Sequence, residues 1–279
     1  MSSSAPAIPN VLSIAGTDPT GGAGIQADLK SFSAFGAYGM CVVTALVAQN
    51  TQGVREIHAP PVSFLRAQLD AVSDDVRVDA VKTGMLGTAS IIETITSWWE
   101  DTYPEGERPA LVVDPVMIAT SGDRLLEKDA ERALISFLTH ADLITPNAPE
   151  LALLAGADEA ETTDQLVEQA EAVADTHDVV VLAKGGHLTQ SAIVDTLVFP
   201  LGAQGRPASY SLSSPKVDTK NTHGTGCSVS AAFTALRAEG LSWQDSLDRV
   251  KPWVTAALQQ ADQLDVGRGS GPIHHGAKY

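Results

Sequence analysis

"NVLSIAGTDPTGGAGIQADLKSFSAFG", Asn10 to Gly36, decides how the rest of the chain is read. Its first seven residues, "NVLSIAG", form an apolar run ending in glycine, which predicts a strand. A glycine cluster follows, and then Ile25, Leu29, Phe32 and Phe35 recur at helical spacing until Gly36 stops the pattern. Strand, glycine turn and helix make the opening of a βαβ crossover. The pattern repeats outward along the chain. "MCVVTALVA" (Met40–Ala48) predicts a buried strand, Pro61–Val76 a helix, "DAVKTGML" a strand running into a loop, and "TASIIETITSWWEDTY" another helix. "PALVVDPVM", a helix over Glu127–Thr139, "ADLITPN", helices over Ala148–Leu154 and Thr163–Thr176, and "DVVVLAKGG" continue it. Apolar strands without strict period-2 alternation belong to a mostly parallel sheet covered on both faces. From Ala192 to Val217 the texture changes to two weaker runs, "AIVDTLVF" and "ASYSLSSPKV", the expected antiparallel portion. No Pro-, Gly- or Ser-rich linker divides the chain, so 1–279 reads as one α/β domain, with 1–9 a flexible N-terminal segment.

Composition narrows the function. A formal charge of −16, from 34 acids against 18 Lys and Arg, argues against nucleic-acid binding, which needs basic groups to neutralise phosphates. The two cysteines, Cys41 and Cys227, have no CxxC spacing, which argues against a thiolate metal site and a disulfide scaffold. The start, "MSSSAPAIPN", lacks a basic end and an apolar core, and no segment approaches about 18 uncharged apolar residues. The expectation is a cytoplasmic protein without membrane contact.

In an open α/β sheet, ligands collect at the carboxyl ends of the strands. Gly22-x-Gly24-x-x-Ala27 formally fits a dinucleotide fingerprint, but no acid follows at the end of the next strand. The polar tip there is Gln49-Asn50. No Gly-Lys pair exists, so there is no P-loop. A tight strand-to-helix turn and nothing more is the plain alternative for Gly21, Gly22 and Gly24. "TKNTHGTGCSVSAAF" (Thr219–Phe233) offers Gly224, Thr225 and Gly226 before a small-residue helix, Ser228–Ala238, where backbone N–H groups can face an anion. Cys227 at that first turn is a redox thiol, a packed core residue or a group facing the anion, and the helix dipole favours its thiolate. Lys184 and Lys220 are candidate phosphate partners or plain surface lysines. Asp114 sits where "ALVV" emerges. Asn147 and Glu150, three apart, could present oxygen ligands suited to Mg²⁺ or form a helix cap. Glycine-cradled anion, lysines and oxygen ligands together are the inventory of phosphoryl transfer. No hydrolase triad is evident.

"SIAGTDPTGGAGIQADLKSFSAFGAYGMCVVTALVAQNTQGV", "KTGML", "LITPNAPE", "AKGGH" and "TKNTHGTGCSVSAA" resemble the hydroxymethylpyrimidine/phosphomethylpyrimidine kinases of thiamine biosynthesis, in the ribokinase-like superfamily. The likeness runs from Val11 to about His275. It implies a three-layer α/β/α ribokinase-like fold, a homodimer, and transfer of the γ-phosphate of Mg·ATP to a hydroxymethylpyrimidine and then to its monophosphate. It places Gly224, Thr225, Gly226 and Cys227 at the transferring phosphoryl group, with Cys227 in the base position. Asp114 and Glu150 would stand near Mg²⁺, and Asn147, Lys184, Thr219 and Lys220 near the nucleotide. Gly16, Asp18, Gln49 and Met85 would form the pyrimidine pocket, and Gln49 stands where many relatives carry glutamate. Pyridoxal kinases are similar enough to remain an alternative substrate reading, and a non-catalytic pyrimidine- or nucleotide-binding protein is the alternative of another class.

Overall fold

The computed structural model describes residues 8–117, 126, 129–188, 192–201 and 209–278. Most of the expected N-terminal segment, and residues 127 and 128 of the expected Glu127–Thr139 helix, lie outside these. The apolar runs become strands because each carries oily side chains on both faces. In β1 (Asn10–Ala15), Leu12 and Ile14 enter one core while Val11 enters the other. In β6 (Ala110–Val113), Leu111 and Val113 face the first core and Val112 the second. β5 (Ala80–Thr83), β7 (Leu143–Ile144) and β8 (Val180–Lys184) complete the centre.

The main sheet has eight strands, in the order β10-β9-β8-β7-β6-β5-β1-β2, with β2 at Tyr38–Val43, β9 at Ala192–Val198 and β10 at Ser209–Pro215. The six strands from β2 to β8 in this order run parallel, and β9 and β10 run antiparallel, as the change of texture after Ala192 predicts. One face is covered by α1 (Gly24–Ala34), α7 (Thr225–Ala238) and α8 (Trp243–Gln259). The other is covered by α2 (Val62–Ser73), α3 (Ala89–Thr102), α4 (Ala130–Phe137), α5 (Ala148–Ala155) and α6 (Thr163–His177). This is a three-layer α/β/α arrangement. The chain leaves β1 toward β2 on one side and later returns to β5 on the other, so the direction of strand order reverses beside β1. A crevice at that reversal is where open α/β sheets place ligands.

Three elements differ from the sequence reading. Met40–Ala48 is not one buried strand. It breaks at Thr44–Ala45, and β3 (Leu46–Asn50) pairs antiparallel with β4 (Gly53–His58) in a separate two-stranded sheet. The break has identifiable partners: the Thr44 amide donates to the Ala15 carbonyl at 3.0 Å, the Thr44 hydroxyl to Met85 O at 2.7 Å, and the Thr17 amide to Ala45 O at 3.0 Å. Those bonds draw the chain away from the sheet and over the tip of β1. The second difference is α8, absent from the sequence reading: Trp243, Leu247, Val250 and Val254 do recur at helical spacing, but Pro252 stands inside the run as a helix breaker. Its polar Lys251 is buried against Asp195 of β9 at 2.6 Å. α7 also starts three residues earlier than Ser228, at Thr225.

Candidate active site

A cavity of about 580 Å³ opens at the carboxyl ends of β1, β5, β6 and β8, with Val47 and Gln49 of the β3–β4 hairpin along one side. Gly224 has φ 77°, a left-handed conformation that suits glycine, and serves as the N-cap of α7. The turn leaves the amides of Gly224, Gly226 and Cys227 without an acceptor among the described residues. Three free N–H groups at the positive end of a 14-residue helix make an anion cradle. Opposite it, Lys184 Nζ lies 3.5 Å from Asp114 Oδ1. A Cβ at Gly226 would come within 3.3 Å of that Nζ, so the cradle and the ammonium share one small space.

The acids sit behind this cradle. Asp114 is buried and accepts from the Thr145 hydroxyl at 3.0 Å. Glu150 and Asn147 exchange backbone and side-chain bonds of 2.9 Å each in a capping box. Capping is therefore present, and both residues also line the cavity. Burial, opposed by Lys184 and reinforced by Asp114, pushes the Glu150 carboxyl up to about 7. An acid pair in which burial and the neighbouring Asp114 hold back the ionisation of Glu150 fits a divalent cation. Mg²⁺ binds through one or two carboxylates plus waters and phosphates. That is compatible with the lack, among the described residues, of any group of three or more His, Cys, Asp or Glu able to hold a metal.

Cys227 corrects the sequence expectation about its charge. It lies deep in the protein while turning part of its surface to the cavity. Burial there outweighs the help of Lys82 and the Gly24 amide and pushes the thiol up to about 11. The resting group is a neutral thiol, despite the helix N-terminus.

A family model described as phosphomethylpyrimidine kinase matches residues 18–274. The chain belongs to the phosphomethylpyrimidine kinase family. It is 51% identical over 271 residues to the thiamine biosynthesis multifunctional protein of Corynebacterium glutamicum, covering 97% of this chain and 34% of that one. The chain thus spans about a third of that relative. It is 47% identical over 267 residues to the hydroxymethylpyrimidine/phosphomethylpyrimidine kinase of Salmonella typhimurium, covering 95% and 97% of the two chains. The solved ADP complex of Bacillus subtilis pyridoxal kinase superposes with a TM-score of 0.85 at 34% identity, over 97% of this chain and 98% of that one. The chain has the three-layer ribokinase-like fold. Among the described residues, no helix is long and apolar enough to cross a membrane.

Within this fold the cavity gathers Gly16, Gln49, Met85, Asp114, Asn147, Glu150, Lys184 and the Gly224–Cys227 turn. Three other expected residues do not line it. Asp18 is fully buried and turned into its own loop, accepting from the amides of Thr20, Gly22 and Ala23 and bonding His223 Nε2 at 2.8 Å. Burial alone would raise its carboxyl, but His223, Thr20 and the Ala23 amide bring it down to about 2. Thr219 donates to Asp262 at 2.8 Å, and Lys220 is exposed with its carbonyl bonded to Ser270. Sequence reasoning missed His223, which reaches the cavity, and Lys82, buried on its floor in an ion pair with Asp28. Asp28 carried a signal. It shares the buried face of α1 with Ile25 and Phe32, where an acid needs a partner.

Glu150 yields a pH prediction. Its folded pKa, raised from 4.5 to about 7, means that the folded chain holds more protons than the unfolded one between those values. Its contribution is fully present below pH 4.5 and is lost as pH rises through 7. The expected loss for the ligand-free protein is on the order of 3 kcal/mol. Glu150→Gln keeps the capping geometry and should flatten this part of the stability profile. Thermal melts of both proteins from pH 4 to pH 8 check it, and parallel profiles would refute it.

Proposed function

We propose that this kinase transfers the γ-phosphate of ATP to the hydroxymethyl oxygen of 4-amino-5-hydroxymethyl-2-methylpyrimidine, and then a second phosphate to the resulting monophosphate, in thiamine biosynthesis. The observation that carries the reading is the Gly224–Cys227 amide cradle facing Lys184 inside the cavity that also holds Gln49 and Met85. Phosphoryl transfer is largely positioning and charge stabilisation, and these groups supply both. The cradle and Lys184 hold the phosphoryl oxygens, and Asn147 steadies the nucleotide. Asp114 and Glu150 would hold Mg²⁺, which supplies charge neutralisation on the phosphates when bound. Cys227 holds the acceptor hydroxyl and, as thiolate, takes its proton as the oxygen–phosphorus bond forms and ADP leaves with the electron pair of the broken bond. Asp18 serves the pocket indirectly, by fixing the loop that follows Gly16. Product analysis with excess Mg·ATP tests the reading: the diphosphate should accumulate, and arrest at monophosphate would refute the second step.

Gln49 discriminates between substrates. It lies at an irregularity in β3, between Ala48 and Gln49, where a bulge can re-aim a side chain. Its Nε2 makes only a long bond of 3.4 Å to Thr17 O, which leaves the amide oxygen to accept from an exocyclic amine. Gln49→Leu should weaken the aminopyrimidine by about 1–3 kcal/mol while sparing ATP. Pyridoxal has no such amine, and a pyridoxal kinase reading is supported by the close superposition on the Bacillus subtilis enzyme. Calorimetry with both ligands decides, since equal losses for the two would take Gln49 out of the selectivity argument.

The exposed Tyr38, Leu46, Ile57, Val62 and Phe64 lie on the consecutive segments from β2 to the start of α2. They support a homodimer, for which sedimentation at the 29.1 kDa of a single chain would be the contrary result.

A further inference from the structure

Lys82 and Asp28 have no exposed side-chain surface. Lys82 Nζ lies 2.9 Å from each carboxylate oxygen of Asp28, and the Ser13 hydroxyl donates to Oδ2 at 2.6 Å. A buried ion pair is weak evidence for stability, because an apolar pair of similar volume often does as well or better. This one also stands beside the reacting groups. Lys82 lines the same cavity as Cys227, and its third N–H has no acceptor among the described residues. The absence of a side chain at Gly84 leaves room for the ammonium, since a Cβ there would come within 2.8 Å of Nζ. Burial by itself would lower Lys82, but Asp28, Cys227 and Asp114 outweigh it and keep the proton on the amine.

The charged groups acting on the Cys227 sulfur come from four elements: Lys82 from β5, Lys184 from β8, Asp114 from the end of β6 and Asp28 from α1. Both acids oppose a thiolate. Lys184 is already engaged by Asp114 and placed at the phosphate cradle. That leaves Lys82 as the strongest charge favouring loss of the thiol proton.

We propose that Lys82 is a positioning residue for phosphoryl transfer: its ammonium, fixed by Asp28, is the counter-charge against which the Cys227 thiolate forms. The inference rests on the reading of Cys227 as proton acceptor, but its first test does not use turnover. The ligand-free protein is alkylated with iodoacetamide from pH 6 to pH 12, and Cys227 and Cys41 are read from their own peptides. Each Cys227 rate is divided by the Cys41 rate of the same sample, which corrects for reagent and for global opening of the chain.

Removing the Lys82 charge from the cavity it shares with Cys227 should move the thiol up by about a pH unit. Lys82→Met should therefore slow normalised alkylation at pH 8 by roughly 10-fold, whereas Lys82→Arg, which retains the charge, should stay near wild type. The double variant Lys82→Met/Asp28→Leu controls for folding by replacing the pair with apolar groups. If it melts cooperatively, it should show a smaller alkaline displacement than Lys82→Met, because loss of the Asp28 charge offsets part of the loss of Lys82, and a reduced kcat with little change in KM for either substrate. Wild-type thiol reactivity in Lys82→Met, together with wild-type kcat in the folded double variant, would show that the pair is merely structural and overturn the proposal. A raised KM with an unmoved thiol profile would also overturn it, since Lys82 would then be binding substrate. The displaced thiol profile together with full activity in Cys227→Ala would sink the proton-acceptor reading while leaving the counter-charge assignment standing.

Discussion

Cys227→Ala is expected to lower kcat by about 10²-fold or more, the scale of a positioned proton-transfer group, with pyrimidine and nucleotide binding nearly unchanged. The side chain is short and the helix backbone around it is held independently, by bonds such as Ser228 N to Gly224 O at 2.9 Å. Its removal should therefore leave the amide cradle in place. Cys227→Ser separates two roles. A serine can orient the acceptor hydroxyl but does not ionise in the working range. If orientation is all the thiol does, serine restores turnover. If the sulfur must accept a proton, serine stays near alanine. The pH profile gives an independent reading: with the thiol near 11 in the free protein, kcat/KM should climb with pH well above neutrality, because the thiolate fraction grows with pH. That climb should disappear in Cys227→Ser. Near-wild-type turnover in the alanine variant would make Cys227 a packing residue.

The sequence made most of the sheet legible because its central strands are oily on both faces, and helices such as α3 and α6 carry periodic patterns behind Thr88 and Thr162 caps. The β3–β4 hairpin was not legible. Nothing local distinguishes the apolar run through Thr44 from a continuous strand, and the break is imposed by Ala15 and Met85, distant in sequence. The site divides in the same way. Gly224–Cys227, Asn147, Glu150, Asp114 and Lys184 stand at element ends, where local patterns announce them, and the fold brings them to one cavity. Asp18 has a sequence position like that of Gly16, yet its carboxylate is consumed by its own loop and His223. Lys82 and Asp28 are 54 residues apart, and their pairing requires β5 to lie beside β1 and under α1.

Gly224→Ala is expected to have the largest effect of all. At φ 77° an alanine pays left-handed strain of about 1–2 kcal/mol, but strain is the smaller part. A Cβ at this position would run into the Gly22 carbonyl oxygen, with Gly22 C at 2.7 Å and Ala23 Cα at 3.1 Å. Backbone cannot swing aside as a flexible side chain would. The Gly22 amide is tied to Asp18 at 3.0 Å and the Ala23 amide at 2.8 Å, so yielding would mean unmaking the loop that follows Gly16. The less disruptive relaxation moves the α7 turn outward, which displaces the free amides of Gly226 and Cys227. Losing one donor from such a cradle costs roughly 10²–10³-fold in kcat, and displacing the turn affects several at once, so about 10³-fold is the expected loss. Gly240→Ala is the matched control: it too has a left-handed φ, 90°, but nothing lies within 4 Å of its Cβ. It should cost about 1–2 kcal/mol of stability by strain alone and leave turnover intact. Both variants would be assayed well below their melting temperatures, so that unfolding does not imitate lost catalysis. Equal turnover in the two would mean that close apposition of the α1 and α7 loops is not what holds the phosphate-binding amides in place.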